Sequence, residues 1–193
     1  MLAMGGLAAA SDVEMSVREG HPRGRFPLKV TVTPPGDRTL EEVVGRAVED
    51  WNAVSRAVLG FEAFVLAKGG AVAHVTIALG SGSSQRFMGE TEIASDHDGV
   101  IEPPVRITLT EPSARGQTSR ETLMYGVTAH ELGHALGLSH TADPRSIMCC
   151  VRHGVDFNDP AFRSAYVDAR RNPDLRSVES QLKAHYAAFW RGR

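Results

Sequence analysis

An α/β (α+β) chain, one sheet with helices packed against it, is the fold class the sequence predicts. Three observations carry the prediction. Short β-branched runs bounded by Pro and Gly recur through the first 112 residues. Two longer segments carry apolar residues at helical spacing. The order along the chain is strand, helix, strands, helix, which suits a sheet covered by helices.

The elements follow in order. PLKVTVTP (Pro27 to Pro34) alternates polar and branched residues between prolines and reads as a strand. Thr39 is the expected helix cap, with Glu41 and Glu42 in the first turn. Leu40, Val43, Val44, Ala47, Val48, Trp51, Val54 and Val58 then mark one face of a long helix ending near Gly60. Phe61 to Ala67 and Ala73 to Gly80 are the second and third strands, separated by the Gly69-Gly70 turn. A short strand is expected near Thr91 to Ala94, a tight turn at Asp98-Gly99, and another strand from Val105 to Pro112. Thr122 to Leu138 has a helical pattern. Arg152 to Pro173, rich in Arg, Asp, Asn and Pro, reads as irregular apart from a helical piece at Phe162 to Ala169. Pro173 can open a last helix, along which Leu175, Val178, Leu182, Tyr186 and Phe189 share one face.

Composition narrows the function. The chain of 193 residues suits one domain. Lys plus Arg number 21 against 23 Asp plus Glu, a net charge of −2, so no nucleic-acid or anionic-membrane partner is expected. Arg163, Arg170, Arg171 and Arg176 read as a solvated face. No stretch reaches about 18 consecutive apolar residues, which excludes a membrane-spanning helix. Cys149 and Cys150 are adjacent and read as two thiols, at least one of them buried. The opening MLAMGGLAAASD reads either as the remnant of a secretory signal, with Ala8 to Ala10 resembling a cleavage site, or as a terminus without that role. Secretion is the expected location, with the cytoplasm as the alternative.

The chemistry sits in HELGHALGLSH, His130 to His140. His130 and His134 are four apart, so on a helix both rings lie on one face and reach one zinc ion. Gly137 tolerates positive φ and can turn the chain sharply, which lets His140 swing back as third ligand. Three neutral imidazoles leave a fourth position to water, as in a catalytic zinc site. Glu131 is placed to take that water's proton as general base and pass it to the leaving amine. A purely structural zinc would leave Glu131 without a task. Leu132, Ala135, Leu136 and Leu138 can anchor the helix in the core.

His130, Glu131, His134, Gly137 and His140 match the metzincin pattern, and Ser146-Ile147-Met148 supplies the Met-turn eight residues after His140. The run resembles the matrixins, the matrix-metalloproteinase-type branch, over roughly residues 25 to 190. That resemblance implies a twisted, mixed five-stranded sheet with two long helices in an upper lobe. A small lower lobe would carry His140, the turn methionine Met148 and a C-terminal helix. It implies a zinc-dependent endopeptidase holding an extended peptide or protein substrate, with Gly89 to Ala94 as the edge strand that pairs with it. Cys149 to His153 would wall the pocket for the residue after the cut, one that in the family usually prefers an apolar side chain. Cys150 stands where matrixins usually have proline and astacin-type relatives have tyrosine, and no PRCGxPD-like stretch precedes the motif.

The expected organisation is a flexible segment or processing remnant over 1–24 and one catalytic domain over 25–193, its lobes about 25–137 and 138–193. One catalytic Zn2+ and a monomer are expected. Asp96, His97 and Asp98 could hold a further cation, but a solvated turn is the preferred reading. Met124 and Tyr125 read as core or cleft floor, and His74, His97 and His185 as incidental. Two rival functions are a narrow-specificity zinc amidase or peptidase and a non-catalytic binding protein on the same scaffold. The intact Glu131 argues against the second.

Overall fold

The computed structural model describes residues 19–34, 36–67, 72–80, 88–110, 118–150 and 156–191. Five strands form one sheet: β1 (Leu28–Thr33), β2 (Phe64–Leu66), β3 (Val75–Leu79), β4 (Gly89–Ser95) and β5 (Ile101–Leu109). Their order is β2-β1-β3-β5-β4. All neighbours are parallel except β4, which runs antiparallel to β5 at the sheet edge. Period-2 alternation puts Leu28, Val30, Val75, Ile77, Val105 and Ile107 on the buried face. The helices α1 (Arg38–Leu59) and α2 (Arg120–Ala135) cover that face and pack on each other.

β5 starts at Ile101 rather than at the expected Val105, and so contains Pro103 and Pro104. Prolines cannot donate to a ladder. Here they lie opposite the register shift between Glu92 and Ala94, where the ladder is already interrupted.

Asp37, not Thr39, caps α1, because its carboxylate accepts the Leu40 N–H at 3.0 Å. Gly60, in the left-handed region at φ 86°, ends the helix. Trp51, fully buried on α1, donates its indole N–H to the carbonyl of Ala129 at 2.9 Å and ties α1 to the motif helix α2. Tyr125 is core: it is buried and donates to Asp50 Oδ2 at 2.6 Å.

A smaller helical lobe follows α2. The stretch expected to be irregular contains a full helix, α3 (Pro160–Arg171). Asp159 caps it by accepting from Ala161, Pro160 occupies the first turn, and Phe162 and Tyr166 pack with Phe157. Leu175–Val178 form a 3₁₀ turn that leads into α4 (Glu179–Arg191). Leu175, Val178, Leu182, Tyr186 and Phe189 are all buried, as the spacing predicts. Residues 19–25 are packed against the rest. Gly20 pairs with Gly99 and Ile101, and His21 is fully buried with its carbonyl accepting from the Trp190 indole at 2.9 Å. Among the described residues no helix is long and apolar enough to cross a membrane.

Candidate metal centre

α2 is built to hold its imidazoles still. Ser119 caps its start by accepting from Thr122. Its end is a Schellman motif: Gly137, at φ 86°, donates to His134 O at 2.8 Å, and Leu138 donates to Gly133 O at 3.0 Å. Two carbonyls of the last turn would otherwise be orphaned in the core. His21 Nε2 donates to Ala135 O at 2.8 Å, and the Tyr186 hydroxyl donates to Leu136 O at 2.9 Å. A side chain at Gly137 would also run into the Glu19 carbonyl. Gly137 is thus required both by its φ and by the strand of residues 19–21 passing over it.

The turn throws His140 back onto the helix. Its Nε2 lies 3.1 Å from His130 Nε2 and 3.2 Å from His134 Nε2, and the helix pair are themselves 3.1 Å apart. These are the three residues that can hold a metal together among the described residues. His130 Nδ1 is 2.7 Å from Ile147 O, and His134 Nδ1 is 2.8 Å from Leu138 O. A carbonyl only accepts, so each Nδ1 carries the hydrogen and each Nε2 presents its lone pair inward. Burial, first of all, keeps both rings neutral. It holds His130 well below the ordinary imidazole range, with the neighbouring His134 adding to it, and lowers His134 to about 4. His140 is lowered too, by burial and then by the charge of Arg170.

Neutral imidazoles whose lone pairs meet at 3.1–3.2 Å repel, and a cation resolves the repulsion. A tetrahedral ion about 2.0–2.1 Å from each nitrogen needs nitrogens about 3.3–3.4 Å apart. The triangle therefore fits zinc to within about 0.3 Å. His130 and His134 are buried while His140 is part-exposed, so the cluster opens on the His140 side.

The Met-turn touches all three ligands or their supports. Ile147 supplies the carbonyl that fixes His130. Met148 is fully buried, and its sulfur occupies the space a side chain at Gly133 would take. The Met148 carbonyl accepts from Thr141, the neighbour of His140, at 2.9 Å. Ser146 holds the turn closed by accepting from Met148 and Cys149, and Ser177 Oγ accepts from Ile147 at 3.1 Å. The sulfurs of Cys149 and Cys150 lie against each other. His153 and the rest of 151–155 lie outside the described residues.

Glu131 is fully buried beneath β4. Its Oε2 accepts a 2.5 Å hydrogen bond from the Thr91 hydroxyl, and Thr91 itself is buried. At Gly89, two residues earlier on the same strand face, a Cβ would lie 2.7 Å from Glu131 Oε1 and 2.6 Å from Val127. β4 therefore roofs the carboxylate with its inner face and leaves its outer edge unpaired by any described strand. Sequence reading identifies Gly89 to Ala94 as an edge strand but misses Thr91 as the partner of Glu131. It also misses His21 and Arg170.

Arg170 does not belong to a solvated face. It is half-buried on α3, donates to Cys149 O at 2.9 Å and lies over the Tyr166 ring. Asp96 caps the 96–100 turn by accepting from Asp98 and Val100, in line with a solvated turn. His185 is buried against the Gly137 turn and is not a ligand of the cluster.

A helix-borne histidine pair, a third histidine returned by a glycine turn and a roofed glutamate define a metal-dependent hydrolase. The family model of the matrixins, peptidase family M10, matches residues 30–159, well over half the chain. The chain belongs to the matrixin family and is a zinc metalloendopeptidase of the metzincin type, with the His130-Glu131-x-x-His134…His140 motif in its catalytic arrangement. No curated protein matches the chain significantly.

Proposed function

We propose that His130, His134 and His140 hold one zinc ion and that Glu131 is the general base of peptide-bond hydrolysis. The observation that carries this reading is the convergence of three inward Nε2 atoms next to a buried carboxylate. Zinc held there supplies a Lewis acid that polarises the scissile carbonyl and acidifies the attacking water. Glu131 receives the proton of that water and delivers it to the leaving nitrogen. Thr91 holds the carboxylate in place for both transfers. Met148 and Gly137 are supporting residues that fix where the third imidazole sits.

The substrate is an extended peptide, and the free edge of β4 supports this reading because a strand can add there through main-chain hydrogen bonds. Glu90 and Glu92 project from the exposed face of that strand. The enzyme acts as a monomer outside the cytoplasm.

The test is cleavage of a randomised peptide library by the zinc-loaded, chelated and zinc-restored protein. Cleavage lost with the chelator and regained with zinc is expected. An uncleaved library at full zinc content would contradict the reading.

A further inference from the structure

α3 begins at Pro160, where the matched family residues end, and it carries a charge to the metal centre that the motif does not foresee. Arg170, near its C-terminus, hydrogen-bonds the carbonyl of Cys149. Cys149 follows Met148 and bridges to Thr141, the neighbour of His140. The guanidinium is therefore one strand pair from the third histidine, and its charge reaches both His130 and His140.

Four other arginines lie beside carboxylates, Arg38 with Glu42, Arg46 with Asp50, Arg56 with Glu62 and Arg176 with Asp174, while Arg23 lies over Trp190 and Arg25 bonds His21 and the Ile101 carbonyl. Arg170 has a backbone carbonyl and an aromatic face, and no carboxylate among the described residues. A guanidinium has five donors in a planar fork suited to a carboxylate, and a single bond to Cys149 leaves most of them unused. A positive group here also disfavours a nearby dication. Both features make sense if an anion joins during function.

We propose that Arg170 recognises a carboxylate of the substrate close to the scissile bond, so that the enzyme selects peptides with a negative group there. This inference rests on the endopeptidase reading. The carboxylate comes either from an Asp or Glu side chain or from the end of a peptide cut near its C-terminus. The selected group gains a charge-assisted, bidentate contact in a half-buried setting, where such a contact discriminates against the neutral amide.

The experiment compares kcat/KM on matched peptides carrying Asp or Glu against Asn or Gln at each position flanking the cut, and free-acid against amidated C-termini. Wild type, R170Q, R170K and R170E are measured at equal zinc content. Wild type is expected to favour one acidic position, or the free acid, by about tenfold or more. R170Q should abolish that ratio, R170K should keep part of it, and R170E should invert it. Binding of the selected peptide to Glu131→Ala protein, read by fluorescence anisotropy, should weaken by a similar factor when R170Q is added. An acid preference unchanged by R170Q overturns the inference, as does an equal loss on every peptide, which would make Arg170 only a brace for the Cys149 carbonyl. Failure to cleave any peptide would instead overturn the endopeptidase reading on which the inference stands.

Discussion

Thr91 Oγ1 and Glu131 Oε2 lie 2.5 Å apart, both fully enclosed, and they join the edge strand to the motif helix across 40 residues of sequence. The bond orients the carboxylate before any substrate arrives. Removing the hydroxyl leaves a buried charge short of one donor, worth about 1.5–3 kcal/mol. Thr91→Val is therefore expected to lower kcat by about tenfold or more with little change in KM, while Thr91→Ser keeps most of the rate. Steady-state kinetics at matched zinc content checks both. A Ser variant as slow as the Val variant would show that the strand, and not the hydroxyl, is what matters.

Gly133 and Met148 share one space. A methyl group at Gly133 would overlap the thioether sulfur and press on Trp51. Gly133→Ala should destabilise the protein by about 1–3 kcal/mol, read as a lowered urea midpoint. Because the two sites touch, the Gly133→Ala, Met148→Ala double variant should lose less than the sum of its parts. Strict additivity would mean that the sulfur does not fill that space.

His21, outside the histidine cluster, gives the fold a pH dependence of its own. Burial, chiefly, lowers it from 6.5 to about 4, although it also donates to Ala135 O. The folded state thus resists protonation that the unfolded chain accepts below pH 6.5. Stability from this group is complete above about pH 6.5 and falls as pH drops toward 4, by on the order of 2 kcal/mol at pH 5. His21→Gln keeps a donor for Ala135 and does not titrate. Urea midpoints at pH 7.5 and pH 5 should differ more for wild type than for the variant. Equal differences would show that His21 is not a source of acid sensitivity.

Much of this was readable from the chain because it is local. The 3.6-residue period marks α1 and α4, and the His130 to His140 spacing requires a helix followed by a glycine turn. What was missed depends on tertiary placement. Thr91 meets Glu131 only because β4 is laid antiparallel beside β5 and over α2. Arg170 resembles its solvated neighbours in sequence, and only the capped helix α3 turns it toward Cys149. Asp37 displaced Thr39 as the cap because its carboxylate is the group that reaches the Leu40 amide.

The central claim is that three imidazoles hold the ion and a separate carboxylate moves the proton. Zinc content and peptide cleavage, measured together on the Glu131→Ala variant, test it most directly. One zinc per chain, retained at the wild-type level, with cleavage reduced by about 10²-fold or more, is the expected result. Zinc lost along with Glu131, or a variant that cleaves at the wild-type rate, would contradict it.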